Sequence, residues 1–103
     1  MIILNGRSKK VKDWFRSHVY AMYNFRKPFE ERKRTSDSEE IKRLDSLIEK
    51  ASKEVDVHEK YGKYLKIKES EILAFNRAIV EEVARSRDRS VKSIIELLIR
   101  ENS

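Results

Sequence analysis

Residues 61–71 read YGKYLKIKESE, and they break the pattern on either side of them. Before and after this stretch, apolar residues recur every three or four positions, the period of a helix packed on a core. Within it, Tyr64, Leu65, Lys66, Ile67 and Lys68 alternate. Alternation is the period of a strand. Extended, the run puts Leu65 and Ile67 on one face and Tyr64, Lys66 and Lys68 on the other. A lone strand leaves its backbone N–H and C=O groups unpaired. The other candidate strand is MIIL at the chain start, so the economical partner is the same strand of a second subunit. Two copies pair antiparallel about a two-fold axis, apolar faces against the helices. A two-stranded ribbon of this kind fits the major groove of DNA, where base edges carry a distinct donor and acceptor code.

Upstream, SKKVKDWFRSHVYAMYNFR at 8–26 has the helical period, with Ser8 as N-cap and Val11, Trp14, Phe15, Val19, Met22 and Phe25 recurring. Pro28 ends or bends this helix. In TSDSEEIKRLDSLIEKASKEVDVHEKY at 35–61, Ser36 and Glu39 match a capping box. Ile41, Leu44, Ile48, Ala51, Val55 and His58 form a narrow seam, and Tyr61–Gly62 reads as a stop. The two seams predict an antiparallel hairpin, with Val11, Phe15 and Met22 facing Leu44, Ile48 and Val55. Downstream, Ile72, Phe75, Ile79 and Val83 define a third helix. Ser90 caps a fourth whose apolar face is Val91, Ile94, Ile95 and Leu98.

The fold expected is mainly α: an N-terminal helical hairpin, then a strand-helix-helix unit that dimerises through an intersubunit two-stranded ribbon. Residues 1–61 make the basic aromatic hairpin and 62–103 the dimerising, DNA-binding unit.

Composition bounds the function. The chain has 103 residues, 41% of them charged, with two glycines and one proline. So few turn residues argue against a β-sandwich or barrel. With no cysteine, disulfides and thiolate metal sites are excluded, and a reducing compartment fits. No apolar run approaches a membrane span, and MIIL is too short for a signal-peptide core. The expectation is a cytoplasmic protein with no membrane association.

The net charge of +6 is uneven: residues 1–35 hold ten Lys/Arg against three Asp/Glu, while residues 36–60 hold five against eight. Uneven positive charge points to a polyanionic partner, most often nucleic acid. Catalytic patterns are absent. His18 and His58 lie forty residues apart without a second ligand at metal spacing, and both read as core or boundary residues. There is no phosphate loop and no nucleophile elbow. The expectation is therefore no enzyme, no cofactor and no metal. Trp14, Phe15, Tyr20, Tyr23, Phe25 and Phe29 are interleaved with Arg16, Arg26 and Lys27. Core packing explains Trp14, Phe15 and Phe25, with Tyr20 and Tyr23 half-buried; a stacking platform is the functional alternative.

Strand, helix, short turn, helix is the order of the ribbon-helix-helix family. KYLKIKESEIL at 63–73 is similar to that family's ribbon entering its first helix, and RDRSVKSIIELLIREN at 87–102 resembles its second. The resemblance covers about two-fifths of the chain. It departs where the family usually has a glycine between the helices, here Arg87-Asp88-Arg89, and in the sixty residues before the ribbon. It implies base contacts from Tyr64, Lys66 and Lys68, and a phosphate on the backbone at Ser90 and Val91, a placement that helix-terminus physics also favours. Arg87, Arg89 and Lys92 lie near that turn, where they would neutralise phosphates. The function expected is sequence-dependent binding of double-stranded DNA as a homodimer: a transcriptional repressor, an antitoxin-like regulator or a partition factor. A second resemblance is weaker: YNFR at 23–26, ERKR after it and SEEIKRLDSLIEKA look somewhat like the small mitochondrial LYR-motif accessory proteins. The competing class is an all-α interaction protein that docks on a protein or RNA partner through residues 8–34.

Overall fold

A computed structural model describes residues 4, 6–85 and 88–102. Four helices follow one another: α1 (Lys9–Arg32), α2 (Ser38–Tyr64), α3 (Glu69–Arg85) and α4 (Val91–Glu101). No strand occurs among the described residues. The strand-helix-helix unit and its intersubunit ribbon are therefore corrected: residues 64–68 are the end of α2 and the turn into α3.

The turn explains the alternation. α2 ends at Tyr64 with Leu65 as C-cap. Lys66 follows in the left-handed region, φ 66°. Its N–H donates to the Lys63 carbonyl at 2.9 Å, and the Ile67 N–H donates to the Gly62 carbonyl at 3.1 Å. These two bonds are the Schellman motif. The motif favours an apolar residue just past the cap, and Ile67 is 3% exposed. Leu65 half-buried, Lys66 out and Ile67 in mimic one edge of a strand over three residues. Lys66 occupies a position that suits glycine, where a Cβ costs about 1 kcal/mol. Lys66→Gly should raise stability by about 0.5–1 kcal/mol, read as a higher urea midpoint at unchanged slope. An unchanged or lower midpoint would contradict the turn.

Gly62 does not stop α2. A Cβ there would lie 2.7 Å from Cζ2 of Trp14, so the glycine lets the indole lie against the α2 backbone. The indole N–H donates to the His58 carbonyl at 2.7 Å. At the other end of the pair, Arg32 Nε meets Asp45 Oδ1 at 2.6 Å. α1 and α2 thus run antiparallel. Two further sequence readings change. Asp37 rather than Ser36 caps α2, accepting the Glu39 N–H at 3.0 Å, and Pro28 does not end α1 but lies inside it. Ser8 and Ser90 cap α1 and α4 as their positions suggest.

α3 and α4 cover the other side of α1. The Phe15 and Phe75 rings stack with centroids 3.9 Å apart. Glu71 fixes the start of α3: one carboxylate oxygen accepts the Lys68 N–H and the other pairs with Arg7 at 2.7 Å. α4 returns toward the chain start, where the Leu4 N–H donates to the Asn102 carbonyl at 2.6 Å. The core joins Phe15, Val19 and Met22 of α1 to Ile72, Phe75 and Ile79 of α3 and to Ile94 and Leu98 of α4.

His18 sits in this core, fully buried. It stacks on Trp14, 4.7 Å between centroids, and its Nε2 lies 2.5 Å from Oδ1 of Asn76. Its Nδ1 has no partner among the described residues. A neutral ring protonated on Nε2 donates to Asn76 and leaves Nδ1 a bare lone pair. Burial lowers the pKa of His18 from its ordinary value; the Asn76 bond opposes that shift and the nearby His58 adds to it. Among the described residues no helix is long and apolar enough to cross a membrane.

Candidate nucleic-acid interface

The antiparallel hairpin brings the start of α1 beside the end of α2. Lys9, Lys10 and Lys12 therefore share one end of the molecule with Lys60, Lys63, Lys66 and Lys68. Arg7 pairs with Glu71 and Lys63 with Glu69. Among the described residues the other lysines of this end make no ion pair. Asp13, Asp56, Glu59 and Glu69 lie at this end as well, but the cations outnumber them, and a net positive excess gathered within a few turns of helix raises the local concentration of a polyanion.

Two tyrosines stand in this end. Tyr61 and Tyr64 are one turn apart on α2, so they lie on the same face. Their rings stack, 5.9 Å between centroids and 19° between planes. They are 47% and 78% exposed, and Val57, one turn earlier on the same stripe, is 65% exposed. α2 packs against α1 along Ala51, Val55 and Gly62, and the stripe lies on the flank of that seam, with Tyr61 nearest to α1.

Beside Tyr61 lies an open cleft of about 240 Å³ between the helices. Lys10, Asp13 and Ser17 of α1 form one wall, His58 and Tyr61 of α2 the other, and Trp14 the floor. Lys10, Asp13 and Ser17 follow one another at spacings of three and four, so they line one side of α1. The seam of α2 presents His58 opposite them because Trp14 and Gly62 set the register.

The sequence-derived site residues fall into two groups. Tyr64, Lys66 and Lys68 come together with Tyr61 at the basic end. Ser90, Val91, Arg89 and Lys92 lie at the far end of α3, a 17-residue helix and hence about 25 Å away. Arg89 pairs there with Glu82 at 3.4 Å, as Arg85 does at 2.8 Å. The Ser90 hydroxyl accepts the Ser93 N–H at 3.2 Å. Arg87 lies outside the described residues. Of the α1 aromatics, Trp14 and Phe15 are buried and Tyr20 is 51% exposed.

Tyr61 and the cleft residues were not read as a site in the sequence. Lys10, Asp13 and Ser17 share a polar helix face like many others, and only the hairpin register sets His58 and Tyr61 against them. Among the described residues no group of His, Cys, Asp or Glu could hold a metal ion. Set against known protein families, curated proteins and solved structures, the chain matches none of them.

Proposed function

We propose that this protein binds nucleic acid through its lysine-rich end, with the exposed tyrosine pair stacking on unpaired bases. The observation that carries the reading is the Tyr61–Tyr64 stack, largely open to solvent amid lysines of which, among the described residues, only Lys63 has an acidic partner. Lysines track phosphates without regard to sequence, and aromatic faces take any base. Single strands suit this surface better than duplex, whose bases are already stacked. The lysines supply most of the affinity and make it salt-dependent. The tyrosines supply the preference for unpaired over paired strands.

Titration of labelled single-stranded and duplex oligonucleotides at two salt concentrations tests this. Tyr64→Ala should weaken single-strand binding by about 1–3 kcal/mol and barely change duplex binding. At so exposed a position, the same substitution should leave stability within about 0.5 kcal/mol. Lys68→Ala should weaken both and reduce the salt slope by about one charge unit. If the wild type binds no oligonucleotide at low salt, the reading fails.

A further inference from the structure

The cleft beside the tyrosine pair carries more than general affinity. Resting on the nucleic-acid reading above, we infer that the cleft formed by Lys10, Asp13, Ser17, His58 and Tyr61 accepts one unstacked base and selects guanine.

Clefts for whole drug-sized ligands span about 300–1,000 Å³. This one, about 240 Å³, suits a single ring system. It is open to solvent and has Tyr61 in its wall, so a strand lying across Tyr61 and Tyr64 can turn one base into it. Tyr61 gives that base an aromatic neighbour. Lys10, at the rim, is placed for the adjoining phosphate.

Asp13 decides which base. Among the carboxylates of this end it is the one that lines the cleft, and it makes no ion pair or hydrogen bond among the described residues. In a site that binds a polyanion, an unpaired carboxylate repels the backbone. It is favourable only where it accepts from a base. A carboxylate is acceptor-only, with two oxygens side by side. The Watson–Crick edge of guanine presents two adjacent donors, N1–H and the N2 amino group. Cytosine and adenine each present one amino donor next to an acceptor nitrogen, which faces the second oxygen as a repulsion. Uracil and thymine present one N–H flanked by two carbonyls. Guanine alone satisfies both oxygens. Unpaired bases are read on this edge in single strands. Ser17, one turn beyond Asp13, can donate to a further acceptor of the base.

The test uses the full chain and labelled single-stranded octamers in ribo and deoxyribo series. Each carries guanine, inosine or adenine once in a pyrimidine background. Inosine lacks only the N2 amino group. The wild type should bind the guanine octamer about tenfold more tightly than the inosine octamer in at least one series. Asp13→Asn should abolish that difference, lowering affinity for the guanine octamer while raising it for the inosine and adenine octamers by removing a negative charge. A purely electrostatic role for Asp13 predicts a uniform rise without any guanine preference to lose. Asp13 is exposed, so the variant should keep the wild-type unfolding midpoint. Equal binding of guanine and inosine in both series, or a preference that survives Asp13→Asn, overturns the inference while leaving the basic-end reading intact. Failure to bind any octamer overturns both.

Discussion

Trp14→Ala should destabilise the protein by about 3–5 kcal/mol, the range for removing a large buried aromatic side chain. Small domains hold about 5–15 kcal/mol in total, so the variant should be close to unfolded at mild temperatures. The indole does three things at once. It fills the space over Gly62, where a Cβ would come within 2.7 Å of the ring. It donates to the His58 carbonyl at 2.7 Å. It covers one face of His18 at 4.7 Å. Alanine removes all three and leaves a cavity bounded by the α2 backbone at Gly62 on one side and by the rings of His18 and Phe75 on the other. Trp14→Phe separates the terms, because it keeps a ring and loses the N–H. The His58 carbonyl sits inside α2 and keeps its helical donor, so the phenylalanine variant should lose only about 1–2 kcal/mol. Urea unfolding followed by circular dichroism measures both, since the chain has a single tryptophan and fluorescence is lost with it. A Trp14→Ala variant within 1 kcal/mol of wild type would contradict the packing described.

Acidification should destabilise the protein through His18. Burial holds its folded pKa below the ordinary value of 6.5, whereas the unfolded chain titrates near that value. Between the two, the unfolded state binds more protons, so stability rises with pH across the window. Stability due to this group is fully present above about pH 7 and declines as pH falls below 6.5 toward the folded value. One proton sets a limiting slope of about 1.4 kcal/mol per pH unit. The unpartnered Nδ1 gives the physical reason: protonating it places a charged donor among the rings of Trp14 and Phe75 with no acceptor. Midpoints of urea unfolding at pH 7.5, 6.5 and 5.5 should fall in that order. His18→Phe should flatten the trend over this range, because carboxylates titrate mostly lower. A wild-type midpoint that rises on acidification would show the shift to have the opposite sign.

The four helices were legible because each carries an apolar stripe at helical spacing. Ser8 and Ser90 were legible because a hydroxyl before such a stripe has an N–H to accept. Residues 64–68 were not, for two linked reasons. A Schellman turn puts an apolar residue two places past the cap, and five residues cannot distinguish that from a strand. Its usual sign, glycine in the left-handed position, is missing because Lys66 stands there. Meanwhile Gly62 offered a false stop: its reason is the approach of Trp14, forty-eight residues earlier in the chain. The same long-range register hides the cleft. Asp13 and His58 belong to helices whose relative sliding is set by Trp14 and Gly62, and no local pattern reports it. Tyr64, Lys66 and Lys68 stood out by composition, and their partner Tyr61 became visible only once α2 was known to run through Gly62.

α1 touches each of the other three helices, whereas α2 leans on α1 with little support from α3 and none from α4 among the described residues. α2 is therefore held almost wholly through one neighbour. Its tip around Leu44 lies beyond the shared core, and a 27-residue helix held along one side can lift from that tip without disturbing α3 or α4. Amide protons near residues 38–48 should therefore exchange through partial opening at a free energy well below that of global unfolding, while those of α1 wait for the whole molecule to come apart. The last anchors to let go on α2 are those at Trp14 and the turn at Lys66, so the surface that carries the tyrosines stays formed while the opposite end of the hairpin breathes.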